Sequence, residues 1–137
     1  NFLRMVMGTE ELLSKAKEAT AYCYCPYSEF HVTAVLEDES GGLHLGVNVE
    51  NSSYGLTMCA ERAAIFSAVS NGQKKFKRIL IYSPDGEPSP CGACREVLAE
   101  FCDDDFPVII ATDNTINHYT LAELLPHRFN AGFTRGK

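Results

Sequence analysis

The sequence predicts an α/β protein with a mixed five-stranded sheet and helices on both faces. Three observations carry the prediction: five short apolar or alternating stretches, longer helical patterns set between them, and an order that opens with a hairpin and continues as strand, helix, strand. With 137 residues, 45% of them hydrophobic, the chain is sized for one core and one domain. That domain is expected over residues 9–133. Residues 1–8, which do not begin with methionine, are expected to lie outside it as extraneous or disordered residues.

In chain order, Thr9 is the expected N-cap of a helix running to about Tyr22, with Leu12, Leu13, Ala16 and Ala19 on one side. FHVTAVLE (30–37) alternates like a strand, DESGG is a turn, and LHLGVNV (43–49) returns as its hairpin partner. CAERAAIFSAV (59–69) reads as a helix apolar on nearly every face, stopped near Asn71-Gly72. RILIYS (78–83) is a buried strand. A Pro/Gly/Ser loop leads to the helix CGACREVLAEFC (91–102), and FPVIIAT (106–112) is the next strand. Residues 117–120 add a short strand and LAELL (121–125) a short helix ended by Pro126.

Charge and cysteine usage narrow the function. A net charge of −6 offers no basic field for phosphates, which disfavours a polynucleotide partner and favours a small or neutral ligand. No apolar run approaches the roughly 20 residues of a membrane span, so a soluble cytoplasmic protein without a membrane partner is expected. Six cysteines without a secretory signal point to reduced thiols. Cys23, Cys25 and Cys102 read as small buried hydrophobes. His31, His44, His118 and His127 lack ligand spacing, and the acidic run 103–105 reads as a solvated loop.

The chemistry lies at two helix starts. SPCGAC (89–94) puts two thiols on one face of a first helical turn, where the helix dipole favours thiolate. Alone, such a pair fits a redox dithiol or half of a zinc knuckle equally well. Cys59 supplies a third thiol at another helix start, and three ligands without a fourth describe an open, catalytic zinc site. Glu61 can share that site only if Cys59 is a cap residue, because positions two apart do not face each other within a helix. Cys59-Ala60-Glu61 followed by Pro90-Cys91-Gly92-Ala93-Cys94 has the form of the zinc deaminase signature: a ligand two residues before a non-ligating Glu, then P-C-x-x-C.

On CPYSEFHV (25–32), NVENSSYGLTMCAERAA (48–64), SPCGACREVL (89–98) and ELLPHRF (123–129), the chain resembles the small cytidine deaminases with three cysteine zinc ligands. The resemblance implies a three-layer α/β/α fold and hydrolysis of cytidine and deoxycytidine to uridine and deoxyuridine, with release of ammonia, in pyrimidine salvage. It implies one Zn²⁺ per subunit on Cys59, Cys91 and Cys94, and Glu61 as the residue that takes a proton from water and delivers protons to N3 and the leaving amine. It also implies a homotetramer with shared active sites. Three thiolates weaken zinc as a Lewis acid unless hydrogen bonds draw charge from sulfur; Arg62, with a counterpart in the family, and Arg95 are the candidates. Asn48 and Glu50 alternate on a strand end and are matched to the ribose 3′-hydroxyl, where the carboxylate disfavours nucleotides. Phe30 is matched to the aromatic that packs on the base, Ala60 to the substrate site, and Tyr54 and Phe129 to residues given across subunit boundaries.

Two departures stand out. Thr33 occupies a position often glycine, where it is expected to tighten packing near Phe30, and NAGFTRGK replaces the usual acidic ending, leaving Phe133 as a rival to Phe129. Rival functions are a blasticidin S type deaminase on the same scaffold, a polynucleotide-editing deaminase, and a non-catalytic zinc module in which Glu61 serves only the helix dipole.

Overall fold

The computed structural model describes residues 2–125, with side chains from Gly8 onward. Helix α1 spans Phe2–Ala19 and continues as a 3₁₀ turn over Thr20–Tyr22. Thr9 is therefore buried inside the helix and is not its cap; the residues before it, FLRMVMG, continue the helix toward the N-terminus. A hairpin follows, β1 (Thr33–Asp38) and β2 (Leu43–Val47), then α2 (Ala60–Ser70), β3 (Phe76–Tyr82), α3 (Gly92–Phe101), β4 (Pro107–Ala111), β5 (Ile116–Thr120) and α4 (Leu121–Leu124). A short 3₁₀ turn over Tyr54–Leu56 precedes α2.

The five strands form one mixed sheet in the order β2-β1-β3-β4-β5, with β3 and β4 parallel and the other pairs antiparallel. Period-two alternation divides the core between its faces. Val35, Leu80, Tyr82 and Ile109 meet Leu12 and Ala16 of α1. Ala34, Leu36, Ile79, Ile81, Val108 and Ile110 meet Ala64, Ile65 and Ala68 of α2 and Leu98 and Ala99 of α3. Helix, sheet and helices thus make three layers. Thr33 faces α1 rather than Phe30: its hydroxyl donates to Ala16 O at 3.0 Å and ties strand to helix.

The topology positions the site. Because β1 is antiparallel to both neighbours, β2 and β3 run in the same direction. The helices that follow them, α2 and α3, consequently start at the same edge of the sheet. Gly46 allows α2 to lie close on β2: a Cβ there would overlap the Ala60 carbonyl and come within 2.5 Å of Ala64 N. The hairpin is closed by the buried Asp38, whose carboxylate accepts from Ser40 N (2.9 Å), Ser40 Oγ (2.6 Å) and Gly42 N (3.0 Å) and pairs with His44 Nε2 (2.8 Å). Among the described residues, no helix is long and apolar enough to cross a membrane.

Candidate functional site

Cys59 is the N-cap of α2, in an extended conformation with φ −78° and ψ 152°. At a cap the chain has not yet entered the helical spiral, which is how Glu61, two residues on, shares one site with it. Cys91 is likewise the N-cap of α3, and its sulfur accepts from Cys94 N at 3.4 Å, as a capping hydroxyl would. Cys94, in the first turn, is fully buried.

The three Sγ atoms lie within 4.8 Å of one another, with Cys59 to Cys91 at 3.8 Å and Cys91 to Cys94 at 3.2 Å. Ligand sulfurs at about 2.3 Å from a tetrahedral zinc stand about 3.8 Å apart, so the donor set and its spacing fit that ion. With three protein donors, one coordination position is left. The Cys94 thiol beside Cys59 and the Arg62 guanidinium, whose Nη2 donates to Cys59 Sγ at 3.4 Å, bring the Cys59 thiol down to about 5. The Arg62 Nε is buried without a hydrogen-bond partner.

Glu61 is 4% exposed, and its burial pushes the carboxyl up to about 7. It lines a cleft of about 370 Å³ together with Phe30, Asn48, Glu50, Cys59, Ala60 and Cys91. Ala60, fully buried, is the first residue of α2. Asn48 is committed locally: Nδ2 donates to Phe30 O at 2.7 Å and Oδ1 accepts from Val32 N at 3.2 Å. Glu50 accepts from Tyr27 N and Ser28 N at 3.1 Å each and from Ser28 Oγ, bonds that hold its carboxyl below the usual range.

Other expected residues lie elsewhere. Arg95 does not serve the sulfurs. One position further into its helix than Arg62 is into α2, it points back along the chain, donating to Pro90 O (2.8 Å), Leu124 O (2.5 Å) and Ser89 Oγ (3.0 Å). Tyr54 is 81% exposed and is not among the residues lining the cleft. Phe129 and Phe133 are outside the described residues. Cys25 and Cys102 are buried, whereas Cys23 is only half-buried, its thiol donating to Val32 O at 3.4 Å. His31, read from sequence as an ordinary histidine, pairs with Asp85 at 2.9 Å.

Sequence reasoning missed Ser28 and Glu87 in the cleft wall. Ser28 had a local signal, since it lies in the quoted CPYSEF; Glu87 had none, being a charge in a Pro/Gly/Ser loop.

The model of the cytidine and deoxycytidylate deaminase zinc-binding region matches residues 7–110. A cytidine deaminase of Sporosarcina psychrophila is 44% identical over 126 residues, 90% of this chain and 93% of that protein. The crystal structure of cytidine deaminase from Burkholderia pseudomallei superposes with a TM-score of 0.83 at 38% identity, covering 88% of this chain and 98% of that one. A blasticidin-S deaminase of Bacillus cereus is 34% identical over 128 residues, 87% of this chain and 90% of that protein.

Proposed function

The chain belongs to the cytidine and deoxycytidylate deaminase family, and on that premise we propose that it hydrolyses cytidine and deoxycytidine to uridine and deoxyuridine with release of ammonia. The observation that carries the reading is the meeting of three thiols and a buried carboxyl at one wall of a cleft. Zinc held by Cys59, Cys91 and Cys94 supplies acidity to water, lowering its pKa from 15.7 to about 7 in favourable sites. Glu61 takes one proton from the water as its oxygen bonds to C4 and passes it to N3, then takes the remaining proton of the new C4 hydroxyl and passes it to the amine as the C4–N bond breaks and ammonia leaves; burial, which raises its carboxyl, suits it to give a proton as well as take one. Arg62 draws charge from the Cys59 sulfur.

Phe30 packs on the base, beside Ala60 at the start of α2. Asn48 and Glu50 take the ribose 3′-hydroxyl: beyond their local bonds, one amide N–H of Asn48 and lone pairs of Glu50 remain available. Glu50, Glu61 and Glu87 all line the cleft, and no Lys or Arg is among the described residues lining it. That balance favours a free nucleoside over a nucleotide. Tyr54 and Phe129 serve neighbouring subunits of a homotetramer, a reading supported by the exposure of Tyr54 (81%), Leu56 (69%) and Phe66 (43%). The working unit is one domain whose first helix begins before residue 9, since α1 runs from Phe2, and it acts in the cytoplasm and in pyrimidine salvage.

The test is ammonia release from cytidine by the parent and by Glu61→Ala, with zinc measured in both. Turnover in the parent is expected to fall by about 10²- to 10⁴-fold in the variant while about one zinc per chain is retained. A zinc-loaded parent that leaves cytidine and deoxycytidine untouched ends this reading, and blasticidin S in the same panel decides for the antibiotic instead.

A further inference from the structure

Resting on that nucleoside reading, we propose that Asp85 is a positioning residue for the reaction: it latches the loop 83–88 to His31 and so fixes the adjacent Phe30 ring at the cleft. Asp85 Oδ2 accepts from the backbone N–H of His31 at 2.7 Å and from its ring Nδ1 at 2.9 Å. The latch has a firm base. Asp85 N donates to Ser83 Oγ at 3.1 Å; Ser83 is fully buried, and its own N–H donates to Ala111 O at 3.2 Å. The next residue, Gly86, lies against the aromatic ring, where a Cβ would stand 3.3 Å from Phe30 Cε2.

From the other side, Phe30 O accepts from Asn48 Nδ2 and Phe30 N donates to Ser28 Oγ at 3.1 Å. The segment 28–32 is thereby tied to β2 and its continuation by side chains near it in the fold. Among the described residues, Asp85 gives it hydrogen bonds to the loop that carries Glu87, Pro88 and Ser89 to the opposite wall of the cleft, beside the packing of Gly86 on the Phe30 ring. As an ion pair it is about one-third exposed on both partners, where such pairs contribute little to stability. Its effect is geometric. Joining residues 54 apart in sequence sets the spacing between the two walls. If the latch opens, only a fraction of molecules holds Phe30 in the binding arrangement, and apparent affinity falls by that fraction. The thiols and Glu61 are held by other elements, so the chemical step is untouched.

The experiment compares zinc-loaded parent, Asp85→Ala, Asp85→Asn and His31→Ala for KM and kcat on cytidine and for amide hydrogen exchange across residues 28–32. Losing the two hydrogen bonds in Asp85→Ala is expected to raise KM about 3- to 10-fold, with kcat within about twofold, and to quicken exchange at 30–32. Asp85→Asn keeps an acceptor oxygen for both N–H groups and is expected within about twofold of the parent. His31→Ala keeps the backbone bond and is expected to fall between them; it also serves if Asp85→Ala does not fold. Parental KM or parental exchange in the folded variants, a loss in kcat rather than KM, or an Asp85→Asn as impaired as Asp85→Ala would each overturn the latch. A parent inert toward cytidine instead overturns the substrate reading, and exchange across 28–32 then decides the latch by itself.

Discussion

Arg62 donates to the sulfur of Cys59 and lies three residues after it, one helical turn along α2. Replacing it with alanine leaves that sulfur without its charged partner, and a 10- to 100-fold loss of activity or of zinc affinity is expected, read by turnover and by competition with a metal-binding dye. Asp38 gives a pH prediction. Hydrogen bonds from Ser40, His44 and Gly42 hold its carboxyl well below the ordinary 3.8, so in acid the unfolded chain takes up the proton first. Its contribution to stability is complete from about pH 5 upward, above the unfolded carboxyl's range, and is lost progressively as pH falls from there toward the depressed folded value. Urea midpoints measured from pH 6 to pH 3 are expected to fall less steeply for Asp38→Asn than for the parent. Residues such as Cys59, Glu61, Cys91 and Cys94 were legible in the sequence because helix starts and short spacings are local facts. The Asp85 to His31 and Arg95 to Leu124 bonds were not, because neither partner's neighbourhood names the other across 54 or 29 residues.

Among the elements, the contact of β2 with α2 bears most directly on the site, since α2 carries Cys59 at its cap and Glu61 in its first turn. Gly46→Ala drives a methyl into the Ala60 carbonyl and Ala64 N, and the helix must move away from the sheet. Overpacking of this kind costs about 1–3 kcal/mol, and displacement of the helix start is expected to lower kcat as well; thermal melts and turnover on one preparation check both. Strand and helix types were readable from period and from Gly and Pro stops. Their ends were less so: β1 begins three residues later than FHV suggests, because the N–H groups of residues 30, 31 and 32 donate to the side chains of Ser28, Asp85 and Asn48 instead of to a neighbouring strand. The expected start of α1 at Thr9 differs from the observed one because Gly8-Thr9 reads as a stop followed by a cap, whereas the helix formers Leu3, Arg4, Met5 and Met7 before them and Glu10 to Leu13 after them carry the helix through.

For the whole molecule, exposed Tyr54, Leu56, Val49 and Phe66 predict association. Sedimentation equilibrium is expected to give a four-chain mass, and Tyr54→Ala to impair activity through the neighbouring site; a monomer of 15.1 kDa that is fully active refutes sharing. That α2 is apolar on most faces was legible from its alanines; that Phe66 on it stays 43% exposed was not. The placement of β1 between β2 and β3 has one more consequence, for a chain still being made. Cys59 leaves the ribosome 32 residues ahead of Cys91 and cannot meet it until β3 has been synthesised and zipped onto the waiting hairpin. Until then the nascent protein carries one ligand of three and has no means of gripping a metal tightly. Metallation is therefore an act of biosynthesis that waits for β3 to join the hairpin, although β4 and β5 are still to come, and a ribosome stalled before residue 91 holds a polypeptide that zinc does not rescue.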